Sequence, residues 1–196
     1  DKAYFTNHGG EVIQQHEYLF PNINVVANQG SETQTRSLGG HLAYGQQAGW
    51  ELLQRMGFAG RGRELAEQAL ILLDAPNCPT GKMVLMLAPD QMVLQIHESI
   101  GHPLELDRIL GDERNYAGTS FVTLDMFGNY QYGSSLLNVT FDPTVPGELV
   151  SGVADDEGTP ATREYLIRDG ILERPLGGRL SQARAGLPGT ANARAC

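Results

Sequence analysis

Short apolar segments separated by turn residues mark two strand-forming parts of the chain. The first part predicts a strand meander over residues 1–40, and the second predicts a strand-rich region over residues 116–196. The individual strands are predicted at 3–5, 12–20, 23–27, 121–126, 136–141, 149–153 and 163–167. The sequence Arg168-Asp169-Gly170 indicates a tight hairpin turn after the last of them, because an Asp-Gly pair tolerates the left-handed backbone of such turns.

A helical spacing of apolar residues replaces the strand pattern at residues 41–75. The first helix of this region is expected to start at His41 and to bury a stripe that contains Trp50 and Leu53. A second helix is expected to end before Pro76, because proline cannot continue the hydrogen-bond ladder of a helix.

Residues 82–107 combine a predicted strand with a predicted helix. The apolar run from Met83 to Leu87 suits a buried strand, and Asp90 is a suitable cap for a helix that reaches Gly101. Strands, then helices, then strands again predict an α+β fold with mainly antiparallel sheets and a few helices.

Composition and charge argue against a nucleic-acid-binding or membrane-spanning protein. The 196 residues are 41% hydrophobic and carry a formal net charge of −9, which predicts one or two packed domains and argues against direct binding of nucleic acid. No apolar run approaches the roughly 20 residues that cross a bilayer, so a soluble protein with no membrane partner is expected. Two cysteines, Cys78 and Cys196, are too few for a disulfide scaffold and favour reduced thiols in a cytoplasm.

The sequence His97-Glu98-Ser99-Ile100-Gly101-His102 is the strongest chemical signal in the chain. Two imidazoles can supply neutral nitrogen ligands to zinc, and a carboxylate beside the first can take a proton from water. Metal-binding histidines on a helix most often lie four residues apart, on one face. Here the spacing is five, so an ideal α-helix would turn His102 about 140° away from His97.

Two local distortions would bring the histidines together. Pro103 disfavours the helical conformation of the residue before it, so the helix is expected to end near Gly101. Alternatively, a single π-type turn closes on the fifth residue, and Gly101 would permit either change of backbone. An ordinary pair of polar residues at a helix end remains an alternative to a metal site.

Five segments, in order along the chain, resemble the TldD/PmbA family, which is also known under the name modulator of DNA gyrase. These segments are His97 to Glu105 with Asp107, Tyr116-Ala117-Gly118-Thr119, Asp155 to Pro160, Ile167 to Leu172, and Asn192 to Ala195. The resemblance is specific from about Lys82 to the end, and it identifies the chain as a central fragment, residues 1–196, of a larger protein of that family.

The resemblance implies a zinc-dependent metallopeptidase that acts on unfolded or precursor peptides held in an extended form. His97 and His102 would then be metal ligands, and Glu98 would be the catalytic base. The family also implies a homo- or hetero-oligomer with a second TldD/PmbA-like subunit. A nonenzymatic regulatory adaptor that acts by binding another protein, and a simple oligomerisation module, are the competing interpretations.

Family members complete the zinc site with a cysteine near their C-terminus, and neither Cys78 nor Cys196 matches that position. The third ligand is therefore expected outside this chain, and two histidines alone should bind Zn²⁺ weakly.

Two further groups of acidic residues each allow a functional and a purely structural interpretation. Glu105 and Asp107 could orient a ligand histidine or simply face solvent. Asp155, Asp156 and Glu157 could hold a cation, although the following Gly-Thr-Pro favours a charged turn.

Overall fold

The computed structural model describes residues 1–40 and 44–193, and over them the α+β prediction is confirmed: small antiparallel sheets accompany a few helices. The strands are β1 Lys2–Phe5, β2 Glu11–Gln14, β3 Tyr18–Leu19, β4 Ile23–Gln29, β5 Glu32–Leu38, β6 Gln46–Gln47, β7 Val139–Phe141, β8 Glu164–Arg168 and β9 Ile171–Leu172. The helices are α1 Glu51–Arg55, α2 Gly62–Leu73, α3 Pro89–Ile96, α4 Leu106–Leu110, α5 Arg114–Ala117 and α6 Arg179–Ala185. In this part of the chain no helix has the length and apolar character needed to span a membrane.

The chain divides into two compact units, one formed by residues 17–93 and the other by residues 1–16 and 94–196. In the unit of residues 17–93, β4 and β5 form an antiparallel hairpin against which α2 packs, and β3 pairs with β6. Strand β5 was not predicted, because its sequence Glu-Thr-Gln-Thr-Arg-Ser-Leu has few apolar residues and only its pairing with β4 makes it a strand.

The predicted helix that starts at His41 is wrong over much of its length. His41 and Leu42 lie outside the described residues, and the next residues include strand β6 before α1 begins at Glu51. Trp50 is 78% exposed, whereas Leu52 is completely buried, so the helix buries a different face from the predicted one. The reason is that Gln46 and Gln47 pair with β3, so the helix begins only at Glu51 and presents a single turn to its unit.

The apolar run from Met83 to Leu87 does not form the predicted buried strand. These residues pair with no strand among the described residues, and Val84 is 99% exposed. A strand requires a partner for its backbone N–H and C=O groups, and hydrophobic composition alone does not provide one.

In the other unit, β1 and β2 form a hairpin and β7, β8 and β9 form a three-stranded antiparallel sheet. The predicted strand 12–20 is instead split into β2 and β3, which lie in different units. The hairpin turn between β8 and β9 is confirmed: Asp169 and Gly170 have φ angles of 49° and 79°, as a type I′ turn requires.

Two more strands predicted in the second half of the chain are wrong. Residues 121–126 form a turn followed by a 3₁₀ turn at Leu124–Met126, and residues 149–153 form turns and bends. Their apolar residues do not alternate between a buried and an exposed face: Val122 is buried, but Val150 and Val153 are exposed. The segment at 121–126 therefore contributes the single side chain of Val122 to the core and does not pair as a strand.

The core of this unit joins the sheet to the segment that contains the histidines. Its buried members are Ile100, Leu104, Val122, Leu166, Ile167 and Leu172. Leu104, Ile167 and Leu172 are completely buried. The chain around the histidines is therefore anchored through its apolar neighbours to β8 and β9.

Replacing Leu172 by Ala should lower the free energy of unfolding by about 2–5 kcal/mol, because it removes a fully buried side chain from the core. The matched control is Leu136→Ala, since Leu136 is 89% exposed, and it should change the stability by no more than about 0.5 kcal/mol. Denaturant unfolding followed by circular dichroism measures both. Equal losses for the two variants would contradict the assignment of the core.

Candidate metal centre

The segment that carries the two histidines is a widened turn at the end of a helix. Helix α3 ends at Ile96, a π turn follows at His97–Gly101, and a 3₁₀ turn follows at His102–Leu104. The backbone N–H of His102 donates a hydrogen bond to the carbonyl of His97, five residues earlier. This is the π-type closure that the spacing of the motif allowed, and it brings two side chains five positions apart to one side of the chain.

The expected effect of Pro103 on His102 is wrong. His102 keeps helical backbone angles, with φ −57° and ψ −43°, and the chain continues into the 3₁₀ turn. Pro103 lies in the first turn of that element, where a backbone N–H has no intrahelical partner in any case, so the turn tolerates its missing donor.

The widened turn brings His97, Glu98 and His102 together. The imidazole rings of the two histidines are 4.2 Å apart between centroids and nearly perpendicular, with an interplanar angle of 74°. One ligand atom from each of the three residues lies within 4.8 Å of the others. Two imidazole nitrogens with a carboxylate oxygen are donors that suit zinc, so this cluster fits such an ion chemically.

The two histidines differ in how firmly they are held. The side chain of His97 is 54% exposed and that of Glu98 is 61% exposed, with 3.8 Å between His97 Nε2 and Glu98 Oε1. His102 is less exposed, and its Nδ1 lies 3.0 Å from Oε1 of Glu105. A terminal nitrogen of Arg108 lies 3.2 Å from the same Nδ1, so both hydrogen-bond contacts of the ring fall on Nδ1 and, among the described residues, none falls on Nε2.

Arg108 completes this arrangement, and the sequence analysis missed it. Its Nε donates to Oε2 of Glu105 at 3.1 Å, and one of its terminal nitrogens donates to the carbonyl of Ala117 at 2.7 Å. The side chain of Arg108 is only 14% exposed, so its positive charge compensates the Glu105 carboxylate away from bulk water. The spacing of three residues between Glu105 and Arg108 on a short helix is the signal that could have revealed the pair.

Asp107 has a different role from Glu105. Its carboxylate accepts a hydrogen bond of 3.0 Å from the backbone N–H of Arg108, at the start of helix α4. Of the two acids after the motif, only Glu105 has a hydrogen bond to His102 among the described residues.

A groove of about 700 Å³ adjoins His102. Besides His102 its lining includes Glu105, Tyr116, Leu180 and Ala193, of which Tyr116 and Leu180 are largely exposed. The groove therefore adjoins the candidate centre on the side of His102, and its walls are both polar and apolar.

Asp155 belongs to a turn that holds the end of the described chain. It is buried, and its carboxylate accepts hydrogen bonds from the backbone N–H groups of Glu157, Thr159 and Ala193 at 3.0, 2.8 and 3.3 Å. Asp156 forms an ion pair with Lys2 at 2.9 Å. Since these contacts occupy the carboxylates, the structure favours the turn over the alternative of a cation site.

Among the described residues, no cysteine belongs to the cluster of His97, Glu98 and His102. Cys78 is exposed, and its thiol faces the carbonyl of Pro79 at 3.9 Å. Cys196, together with Arg194 and Ala195 of the resembling segment, lies outside the described residues.

Comparison with known proteins gives one matching family model and several relatives. Residues 80–196 match the PmbA/TldA metallopeptidase C-terminal domain. A metalloprotease of Methanothermobacter thermautotrophicus is 31% identical over 97% of this chain, which spans 39% of that relative's length. A metalloprotease TldD homolog of Buchnera aphidicola is 32% identical to this chain. The match covers 67% of this chain and 26% of the relative's length.

Solved structures share the fold at low sequence identity. A Bacteroides thetaiotaomicron protein, described as a suggested modulator of DNA gyrase, matches this structure with a TM-score of 0.72 and 15% sequence identity. The match covers 95% of this chain and 39% of the other protein's chain. TldE from Thermococcus kodakarensis has a TM-score of 0.56 and 18% identity over 96% of this chain and 39% of its own. At these identities the likeness concerns the fold alone.

Replacing Asp155 by Asn should lower the free energy of unfolding by about 1–3 kcal/mol, because an amide turns one acceptor oxygen into a donor that faces backbone N–H groups. The control is Asp156→Asn, which removes a surface ion pair and should cost at most about 1 kcal/mol. Thermal unfolding of both variants tests the assignment. If Asp156→Asn proved the more damaging, Asp155 would not be the residue that holds the turn.

Proposed function

Because this chain belongs to the PmbA/TldD metallopeptidase family, we propose that it carries the zinc-binding part of a peptidase that hydrolyses unfolded or precursor peptides. The observation that supports this proposal most directly is the 4.2 Å approach of the His97 and His102 rings, with the Glu98 carboxylate beside them. A helix of regular geometry would not produce this cluster from a spacing of five residues.

His97 and His102 are the proposed protein ligands of zinc within this chain. The third ligand is expected from a part of the protein beyond it, since catalytic sites keep three protein ligands and one open position. A bound zinc ion would supply Lewis acidity, which polarises a carbonyl oxygen and makes water acidic near neutral pH. One relative, from Saccharolobus solfataricus, bears the name zinc metalloprotease TldD homolog.

Glu98 is the proposed catalytic base. Its carboxylate is adjacent to His97 and largely exposed, so water and a peptide can both reach it. A carboxylate in this place can accept the proton from the attacking water and return it to the departing amine nitrogen.

Glu105 and Arg108 have a supporting role in the proposal. In this proposal the contacts of Glu105 and Arg108 with Nδ1 orient the His102 ring and leave Nε2 as the nitrogen that would bind zinc. Partners of this kind fix the ring orientation and raise the basicity of a ligand histidine. The Arg108 guanidinium in turn holds Glu105 in place.

The substrate is proposed to lie extended along the groove beside His102. An extended peptide offers its main-chain N–H and C=O groups independently of its sequence, which suits a peptidase that acts on unfolded chains. The protein is further proposed to act in the cytoplasm as an oligomer with itself or with a TldD/PmbA-like subunit. No structural feature specifically supports the nonenzymatic adaptor, and metal content separates the two possibilities.

Replacing Glu98 by Gln in the full natural polypeptide that contains this chain should leave zinc content unchanged and slow the cleavage of an unfolded peptide by about 10²–10⁴-fold. The amide keeps the shape of the carboxylate but cannot accept the proton. The comparison variant is His97→Ala, which should reduce zinc content as well as activity. Elemental analysis and a peptide-cleavage assay measure the two effects.

Undiminished turnover by Glu98→Gln would remove Glu98 from the mechanism. A wild-type protein that holds no zinc and cleaves no peptide would favour the adaptor.

Replacing Glu105 by Gln should weaken zinc binding by about 10–100-fold, because the partner that fixes the His102 ring is neutralised. Asp107→Asn is the matched control, since Asp107 is a neighbouring acid bonded to the backbone of Arg108, and its zinc affinity should stay within about twofold of the wild type. Competition with a chromophoric chelator measures both affinities. Parallel losses in the two variants would point to a general effect of negative charge and against the specific contact.

A further inference from the structure

The hydroxyl group of Tyr132 contacts the widened turn from a distant part of the chain. It donates a hydrogen bond of 2.6 Å to the backbone carbonyl of Ser99, the third residue of the His97–Gly101 π turn. Tyr132 comes 33 residues later in the sequence than Ser99, so this bond is a tertiary contact and no part of the turn itself.

The Ser99 carbonyl lacks its ordinary helical donor. In an α-helix each carbonyl accepts a hydrogen bond from the N–H four residues later. For Ser99 that residue is Pro103, which has no N–H. A carbonyl at this position therefore gains from an external donor, and the phenol of Tyr132 provides one.

The Tyr132 side chain is held by its own surroundings independently of the histidines. Its ring packs against the core cluster and lies 5.7 Å from the ring of Phe121 and 6.1 Å from that of Tyr130. Its backbone N–H donates to the carbonyl of Gly170 at 2.8 Å, in the β8–β9 hairpin. The sheet thus fixes the point from which the hydroxyl reaches the turn.

The hydroxyl remains a donor over the whole physiological pH range. Burial, with a smaller contribution from Tyr130, raises the pKa of Tyr132 to about 12. The phenol therefore stays protonated wherever the enzyme works.

We propose that Tyr132 is a positioning residue for the metal centre: its hydroxyl holds the Ser99 carbonyl and so keeps the turn closed on the fifth residue, the geometry that brings His97 and His102 together. The effect of Tyr132 on the turn is independent of any metal. Its effect on zinc binding rests on the proposed function. In a turn that relaxed to regular α-helix, His102 would lie about 140° around the helix axis from His97.

The test compares Tyr132→Phe with Tyr130→Phe in the full natural polypeptide. Each variant removes one hydroxyl and keeps the aromatic ring, and among the described residues the hydroxyl of Tyr130 has no hydrogen-bond partner. Two readouts are required: amide hydrogen exchange at His102 in the zinc-free protein, and zinc affinity by competition with a chelator. The variants should both retain the wild-type circular dichroism spectrum.

Tyr132→Phe should accelerate exchange of the His102 amide about tenfold and weaken zinc binding about tenfold, as expected for loss of a partner outside the ligand shell. Tyr130→Phe should leave both within about twofold, because it breaks no hydrogen bond. Unchanged exchange in Tyr132→Phe would overturn the proposal, and so would faster exchange with unaltered zinc affinity. A wild-type protein that binds no zinc would refute the proposed function, while the exchange experiment would still decide whether Tyr132 holds the turn.

Discussion

One backbone hydrogen bond, from the N–H of His102 to the carbonyl of His97, sets the geometry on which the candidate centre depends. Closure on the fifth residue in place of the fourth lets a motif with a spacing of five present both imidazoles on one side. The approach of the two rings, and with it the cluster that they form with Glu98, follows from this local change in winding.

The two histidines are unequally prepared to bind a metal ion. His102 is fixed by Glu105, which is fixed by Arg108, which is bonded to the carbonyl of Ala117. His97 is more exposed and makes its close ring contact with His102 itself. This asymmetry would make His102 the preorganised half of the proposed ligand pair. Preorganisation of one ligand reduces the entropy that binding must remove.

The sequence supports some of these conclusions and not others, for identifiable physical reasons. The hairpin at Asp169-Gly170 was predictable, because a type I′ turn depends on two adjacent residues that tolerate positive φ. The α+β class could also be predicted from the sequence, and the spacing of His97 and His102 suggested the π turn. The strand expected at 83–87 does not form, and its apolar residues could not reveal this, because a strand depends on a remote partner to pair with. The contact from Tyr132 to Ser99 could not be predicted from the sequence, because the two residues are 33 positions apart and belong to no recognisable motif.

The core explains why the widened turn does not relax into a regular helix. Ile100 lies inside the π turn and Leu104 ends the 3₁₀ turn that follows it, and both are buried in the core cluster that includes residues of β8 and β9. Removing the extra residue from the turn would rotate everything after it by about 100°, which would take Leu104 out of the core. Exposing one leucine costs about 1.5–3 kcal/mol, more than the gain from one better-formed backbone hydrogen bond, which is about 0.5–1.5 kcal/mol. Apolar burial of Ile100 and Leu104 in the same short segment therefore helps to maintain the geometry of the candidate centre.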